Sequence, residues 1–172
     1  MTSGMVRLLS LIAAVGLWST GLAPAWAEAG DQKALAAAMK DATATLQGGL
    51  KASEREGTPL SGKFEIEDGK LQLSVYTMKG DGFMEVVADP KSGAIAKAEK
   101  ITDAEDLKAA ASQKAAMAKA KVPLLTATET AVKANAGFQA VSIFPQLQGS
   151  SPVAEVTLVQ GTTFKKVTEK LD

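Results

Sequence analysis

Between Leu60 and Ala96 apolar and polar side chains alternate, and tight turns cut the alternation into short runs. A period of two sends successive side chains to opposite faces of an extended chain, so this stretch must form strands with one buried face and cannot form a helix. Phe64 and Ile66 alternate with Lys63, Glu65 and Glu67; Leu71, Leu73 and Val75 alternate with Gln72, Ser74 and Tyr76; Phe83 to Ala88 makes a third run. Asp68-Gly69 supplies the positive backbone angles of a two-residue hairpin turn. Gly80-Asp81-Gly82 and Asp89-Pro90-Lys91-Ser92-Gly93 are further turns, in which Pro presets one backbone angle and Gly relieves another. Three antiparallel strands cannot bury their apolar face alone, so a helix is required as cover.

The residues before the strands supply such a helix. Leu35, Met39, Ala42, Leu46 and Leu50 recur at steps of three and four, with Lys33, Lys40, Asp41 and Gln47 on the other face. Asp31 is the expected N-cap, and Gly57 followed by Pro59 the stop. Gly48-Gly49 weakens the middle by about 1 kcal/mol per glycine relative to Ala, so a bend or a break is expected there. A second helix is expected from a capping box in which the Thr102 hydroxyl and the Glu105 carboxylate each satisfy a backbone donor, running to Lys121 before Pro123. It is rich in Ala and Lys, and Leu107 and Met117 are too few bulky residues for a membrane-surface helix, so it is expected to be a connector. A third helix is expected to start at Thr126, with Glu129 three residues on, and to end at Gly137.

After Gly137 the earlier order of elements returns. Val141 and Ile143, Val153 to Leu158, and Phe164-Lys165-Lys166-Val167 follow it as Phe64 and Ile66, Leu71 to Val75, and Phe83 to Val86 follow Gly57. Gly57 to Phe83 spans 26 residues and Gly137 to Phe164 spans 27, so the chain reads as a diverged internal repeat. The expected fold class is α+β, with two tandem units, each a helix packed on a three-stranded antiparallel sheet. The expected divisions are a signal peptide over 1–27, a first unit over 28–101, the Ala/Lys-rich connecting helix over 102–123, and a second, more diverged unit over 124–172.

The amino-terminal segment reads as an export signal. A basic start through Arg7, an apolar run from Leu8 to Trp18, breakers at Gly21 and Pro24, and the small-residue close Ala25-Trp26-Ala27 place a cut after Ala27. The apolar run is too short for a bilayer span, so no stable membrane anchor is expected after cleavage, and the expected location is the periplasm.

The 172 residues contain no Cys and no His. That excludes disulfides, thiolate zinc sites and Ser-His or Cys-His nucleophiles. With 19 basic and 19 acidic residues there is no positive excess for nucleic-acid binding. Glu65, Glu67 and Asp68 match no calcium-loop spacing, and alternating acids are usual on a solvated strand face. Asp81 and Asp89 are explained by their turns. No Ser stands in a Gly-x-Ser-x-Gly or Ser-x-x-Lys context. The chain is therefore expected to be no enzyme, with no catalytic, cofactor-binding or metal-binding residues and no cofactor.

The stretch from Gly57 to Ala96 resembles the PepSY domain, through Leu73-Ser74-Val75-Tyr76, Gly82-Phe83-Met84-Glu85-Val86-Val87-Ala88-Asp89 and Lys91-Ser92-Gly93-Ala94-Ile95. Glu65, Gly69, Val75, Glu85, Val87, Asp89, Gly93 and Ile95 fall where that pattern places them. Thr126 to Thr168 is more weakly similar, through Ala131-Val132-Lys133, Gly137, Val153-Ala154-Glu155-Val156 and Phe164, and lacks the closing Asp and Gly turn. The resemblance implies an exported helix-on-sheet domain linked with peptidases, since such units occur in pro-regions of thermolysin-type metalloproteases; it brings no catalytic set.

Two functions are expected from these readings. The first is a periplasmic interaction module binding or restraining an exported peptidase or other envelope protein, with Val153 to Gln160 and the Gly149-Ser150-Ser151-Pro152 loop as contacts. The alternative is a carrier of a small apolar ligand, its pocket between helix and sheet lined by Phe64, Phe83, Phe138 and Phe164. Cleavage after Ala27 removes both tryptophans, Trp18 and Trp26. The exported protein should therefore show only tyrosine emission from Tyr76; tryptophan-like emission would mean that the segment is retained.

Overall fold

The computed structural model describes residues 29–172; the expected signal segment lies outside them. Over the described residues the fold is α+β, with four α-helices and one seven-stranded antiparallel sheet. Helix α1 spans Ala29–Ala38 and α2 Leu46–Ser53; strands β1 to β4 span Thr58–Glu67, Lys70–Lys79, Gly82–Ala88 and Ile95–Lys100. Helices α3 (Ala104–Met117) and α4 (Leu124–Ala134) follow, then β5 (Gln139–Gln148), β6 (Ser151–Gln160) and β7 (Thr163–Lys170).

The strands are ordered β4-β3-β2-β1-β5-β6-β7, so they do not divide into two three-stranded sheets. The first strands of the two halves, β1 and β5, pair with each other, and a fourth strand, β4, follows the Asp89 turn where the sequence reading placed none. The β1–β5 seam is short, with Gly62 opposite Ile143 and Lys63 opposite Ser142. A register shift between Pro59 and Ser61 in β1, and Pro145 in β5, stand on one side of it. A proline has no N–H to give a ladder, so pairing stops there.

Alternation decides which residues meet the helices. Phe64, Leu73, Val75, Val86, Ala88, Ile143, Ala154, Val156 and Leu158 form the main core with Met39 of the turn after α1, Leu46 and Leu50 of α2, and Leu124, Ala127 and Ala131 of α4. Fully burying one such Leu, Ile or Val contributes about 1.5–3 kcal/mol. Five buried apolar residues stand apart from this cluster: Leu60, Ile101, Ala110, Ala116 and Val153. Ala110 and Ala116 belong to α3, which contacts β5, β1 and β6; on the face opposite the main core Tyr76, which alternates with Val75, meets Asp106 of that helix. The Ala-rich helix is thus more than a connector: its small buried residues, Ala110 and Ala116, let it lie close on the sheet.

Local differences from the sequence reading have identifiable causes. The first helix is broken at Ala42–Thr45, not at Gly48-Gly49, because the amides of Thr43 and Ala44 donate to the Pro90 carbonyl at 3.1 and 3.0 Å. Thr45 then caps α2, its hydroxyl accepting from the Gly48 amide at 3.0 Å. Helix α1 begins at Ala29, which puts Asp31 inside its first turn. For α3 the cap is Asp103, one residue beyond Thr102: its carboxylate accepts from the amides of Glu105 and Asp106 at 2.9 and 3.2 Å. That helix stops at Met117, four residues before Lys121, and the amides of Lys121 and Val122 donate to the Leu171 carbonyl. Helix α4 starts at Leu124, after Pro123 and two residues before Thr126. The Asp68-Gly69 turn is as expected, with φ of 50° and 74°.

Gly49 and Gly62 are where α2 touches the sheet. A Cβ at Gly49 would stand 2.3 Å from Leu73 Cδ2, and one at Gly62 would stand 3.1 Å from Leu46 Cδ1 and 3.3 Å from Leu50 Cδ2. Gly49→Ala should therefore destabilise the chain by about 1–2 kcal/mol, the overpacking cost exceeding the gain in helix propensity. A lower urea midpoint with unchanged far-ultraviolet circular dichroism is the expected result.

Candidate functional site

The polar side chains of the first half gather on the α3 face of the sheet. Glu65 and Glu67 are joined through Gln72, whose amide donates to both carboxylates and, at 3.2 Å, to Ser74 Oγ. Lys63 Nζ pairs with Glu65 at 2.6 Å. Tyr76 lies across from Glu85 in the β2–β3 register, and Glu85 across from Glu99 in the β3–β4 register.

Burial shapes the titration of this face. The Tyr76 hydroxyl is pushed well above its ordinary range by desolvation, then by its hydrogen bond with Asp106 and the charges of Asp106, Glu85 and Glu65. The Glu85 carboxyl is also raised, first by desolvation and then by Glu65, with Lys63 opposing. These groups make a half-buried, mainly acidic patch at the first turn of α3. Among the described residues no group of three or more His, Cys, Asp or Glu is placed to hold a metal ion. The sequence groups Glu65 and Glu67 with Asp68 and does not bring Tyr76, Glu85 and Asp106 to them. The alternation of Tyr76 with Val75 was the available signal for Tyr76; nothing local brings Asp106 to it.

Asp68 is in its hairpin turn, and Asp81 lines a shallow groove with Phe83, Lys100, Ile101, Thr102 and Leu107. Asp89 organises its loop: Oδ1 accepts from the amides of Lys91 and Ser92 at 3.1 and 2.7 Å and from the Ser92 hydroxyl at 2.8 Å. The Ser92 amide first, and then its hydroxyl, hold the Asp89 carboxyl below the usual range. The loop so fixed receives the break between α1 and α2, with the Thr43 hydroxyl donating to the Lys91 carbonyl.

The four phenylalanines do not line one pocket. Phe64 is in the main core, and Phe138 and Phe164 pack partly buried against it. Phe83 lies on the α3 face, its ring centre 6.0 Å from Lys114 Nζ. Val153 to Gln160 belongs to β6, which pairs with β5 on one side and β7 on the other, so its backbone is closed to strand addition. Among the described residues, β4 and β7 are the strands paired on one side only.

No family model matches the chain. No curated protein matches it. Among solved structures it is similar to "a putative lipoprotein" from Clostridium difficile 630, with 15% identity and a TM-score of 0.38 over 72% of this chain and 81% of that one. No described helix is long and apolar enough to cross a membrane.

The raised Glu85 carboxyl has a consequence for stability. Because the folded chain binds this proton more tightly than the unfolded chain, Glu85 detracts from stability increasingly as pH rises from the unfolded value of about 4.3 through the higher folded value. Glu85→Gln should raise the urea midpoint at about pH 7 and give no such gain near pH 3, where both states are protonated.

Proposed function

We propose that the chain is an exported, non-catalytic interaction module of PepSY type, which binds or restrains an exported peptidase or another envelope protein in the periplasm. In this reading it is two tandem units, α2-β1-β2-β3 with the added β4, and α4-β5-β6-β7. The strand order supports such a division, since it runs outward as β1-β2-β3 on one side of the seam and as β5-β6-β7 on the other.

The open sheet carries the proposal. Among the described residues its two end strands, β4 and β7, each pair with a neighbouring strand on one side, and a sheet edge is the template by which an extended segment of a partner joins a sheet. Beneath it the core is filled closely enough that a Cβ at Gly49 would overlap Leu73 and one at Gly62 would press on Leu46 and Leu50. Such packing favours a protein partner over a small apolar ligand held between helix and sheet.

The test is capture with the tagged chain from an envelope extract, identification by mass spectrometry, and assay of any captured peptidase with and without the chain. A specific envelope protein is expected, and where it is a peptidase its turnover should fall. Recovery of a co-purifying lipid or small molecule with no protein partner would overturn the reading.

A further inference from the structure

We propose that β7 is a self-association edge, at which two copies of this chain join antiparallel, β7 to β7, into one continuous sheet. The inference is independent of the PepSY reading, because it rests on the backbone and charge pattern of one strand.

The two edges are not equivalent. Strand β4 covers six residues and its register shifts opposite Val87 and Ala88, an irregularity that blunts an edge. Strand β7 covers eight residues and pairs with β6 without a shift from Val153↔Lys170 to Gln160↔Thr163. The Leu171 amide donates to the Pro152 carbonyl at 3.0 Å, so Leu171 turns its backbone toward β6. By alternation Glu169, Val167 and Lys165 do the same, and Phe164, Lys166, Thr168 and Lys170 turn theirs outward.

A two-fold pairing must set outward residues opposite outward residues, which leaves few registers. One places Lys166 opposite the Lys166 of the second copy, and another places Lys166 opposite its Lys170; both juxtapose like charges. The register centred on Val167 avoids this. There Val167 faces Val167, Phe164 pairs with Lys170, Lys166 pairs with Thr168, and Lys165 stands opposite Glu169 twice. Lys165, Val167 and Glu169 fall at non-hydrogen-bonded positions, where facing side chains approach most closely. The charge of Lys166 is already met within its own copy by Glu155, at 2.8 Å. Lys165 would exchange its present bond to Asn135 Oδ1, at 2.6 Å, for the carboxylate of the second copy.

Sedimentation of the purified chain over a concentration series tests this directly. A monomer–dimer equilibrium is expected, with slowed exchange of the Phe164, Lys166, Thr168 and Lys170 amides in the dimer. Lys165→Glu or Glu169→Lys alone should weaken association by about tenfold, and the two together should restore it. Thr168→Pro removes an outward N–H, so it should abolish the dimer while leaving the unfolding midpoint of the monomer nearly unchanged. A chain that stays monomeric throughout the series overturns the proposal. So does a dimer that is indifferent to the charge exchange, whether or not Thr168→Pro folds.

Discussion

The contact on which the rest of the structure depends is the seam between β1 and β5. It is a short ladder, Gly62 to Ile143 and Lys63 to Ser142, yet it makes one sheet from two runs of hairpins. Backbone bonds over so few residues are a minor part of what holds it. On one face α2 and α4 pack against each other across the seam, and Leu46 and Leu50 of α2 lie directly over Gly62, which has no side chain to hold them off. On the other face α3 contacts both β1 and β5, and Leu60 of β1 and Val153 of β6 are buried. The seam is therefore clamped from both faces by side-chain packing.

That clamp settles which strands lie at the edges of the sheet. Because the first strands meet in the middle, β4 and β7 come to the outside, and β6 is enclosed. Because α3 crosses the sheet, Asp106 reaches Tyr76 from a helix that the sequence presents as a polar connector. Desolvation by that helix and its surroundings keeps Tyr76 and Glu85 in their less polar, protonated forms over a wider range of pH.

Much of the strand architecture was legible because its signals are local. Alternation located β1, β2 and β3, and the Asp68-Gly69 hairpin followed from two residues. The helix boundaries were less accessible for a physical reason: caps and breaks were decided by distant partners. The break at Ala42–Thr45 exists because Pro90 accepts two amides from it, and Gly48-Gly49, which looked like a weak point, is a contact surface with Leu73. The position of α3 was also hidden, since a stripe of alanines carries little hydrophobic signal while permitting a close approach to a sheet. The acidic patch was missed for the same reason. Its members come from β1, β2, β3 and α3, and only the pairing of those elements assembles it.

The seam also sets an order of assembly. The β1–β2, β2–β3, β3–β4, β5–β6 and β6–β7 pairs each join neighbours in the chain through short turns, so their loop-closure cost is small. Gly62 and Ile143 are separated by about eighty residues, and their meeting needs both hairpin runs and three helices to have found their places. The contact that unites the molecule is thus the most expensive in chain entropy, and each half exposes its inner strand, β1 or β5, until that contact closes. During synthesis, β1 emerges with its future neighbour still unmade, and so stands for a time as a third unpaired edge.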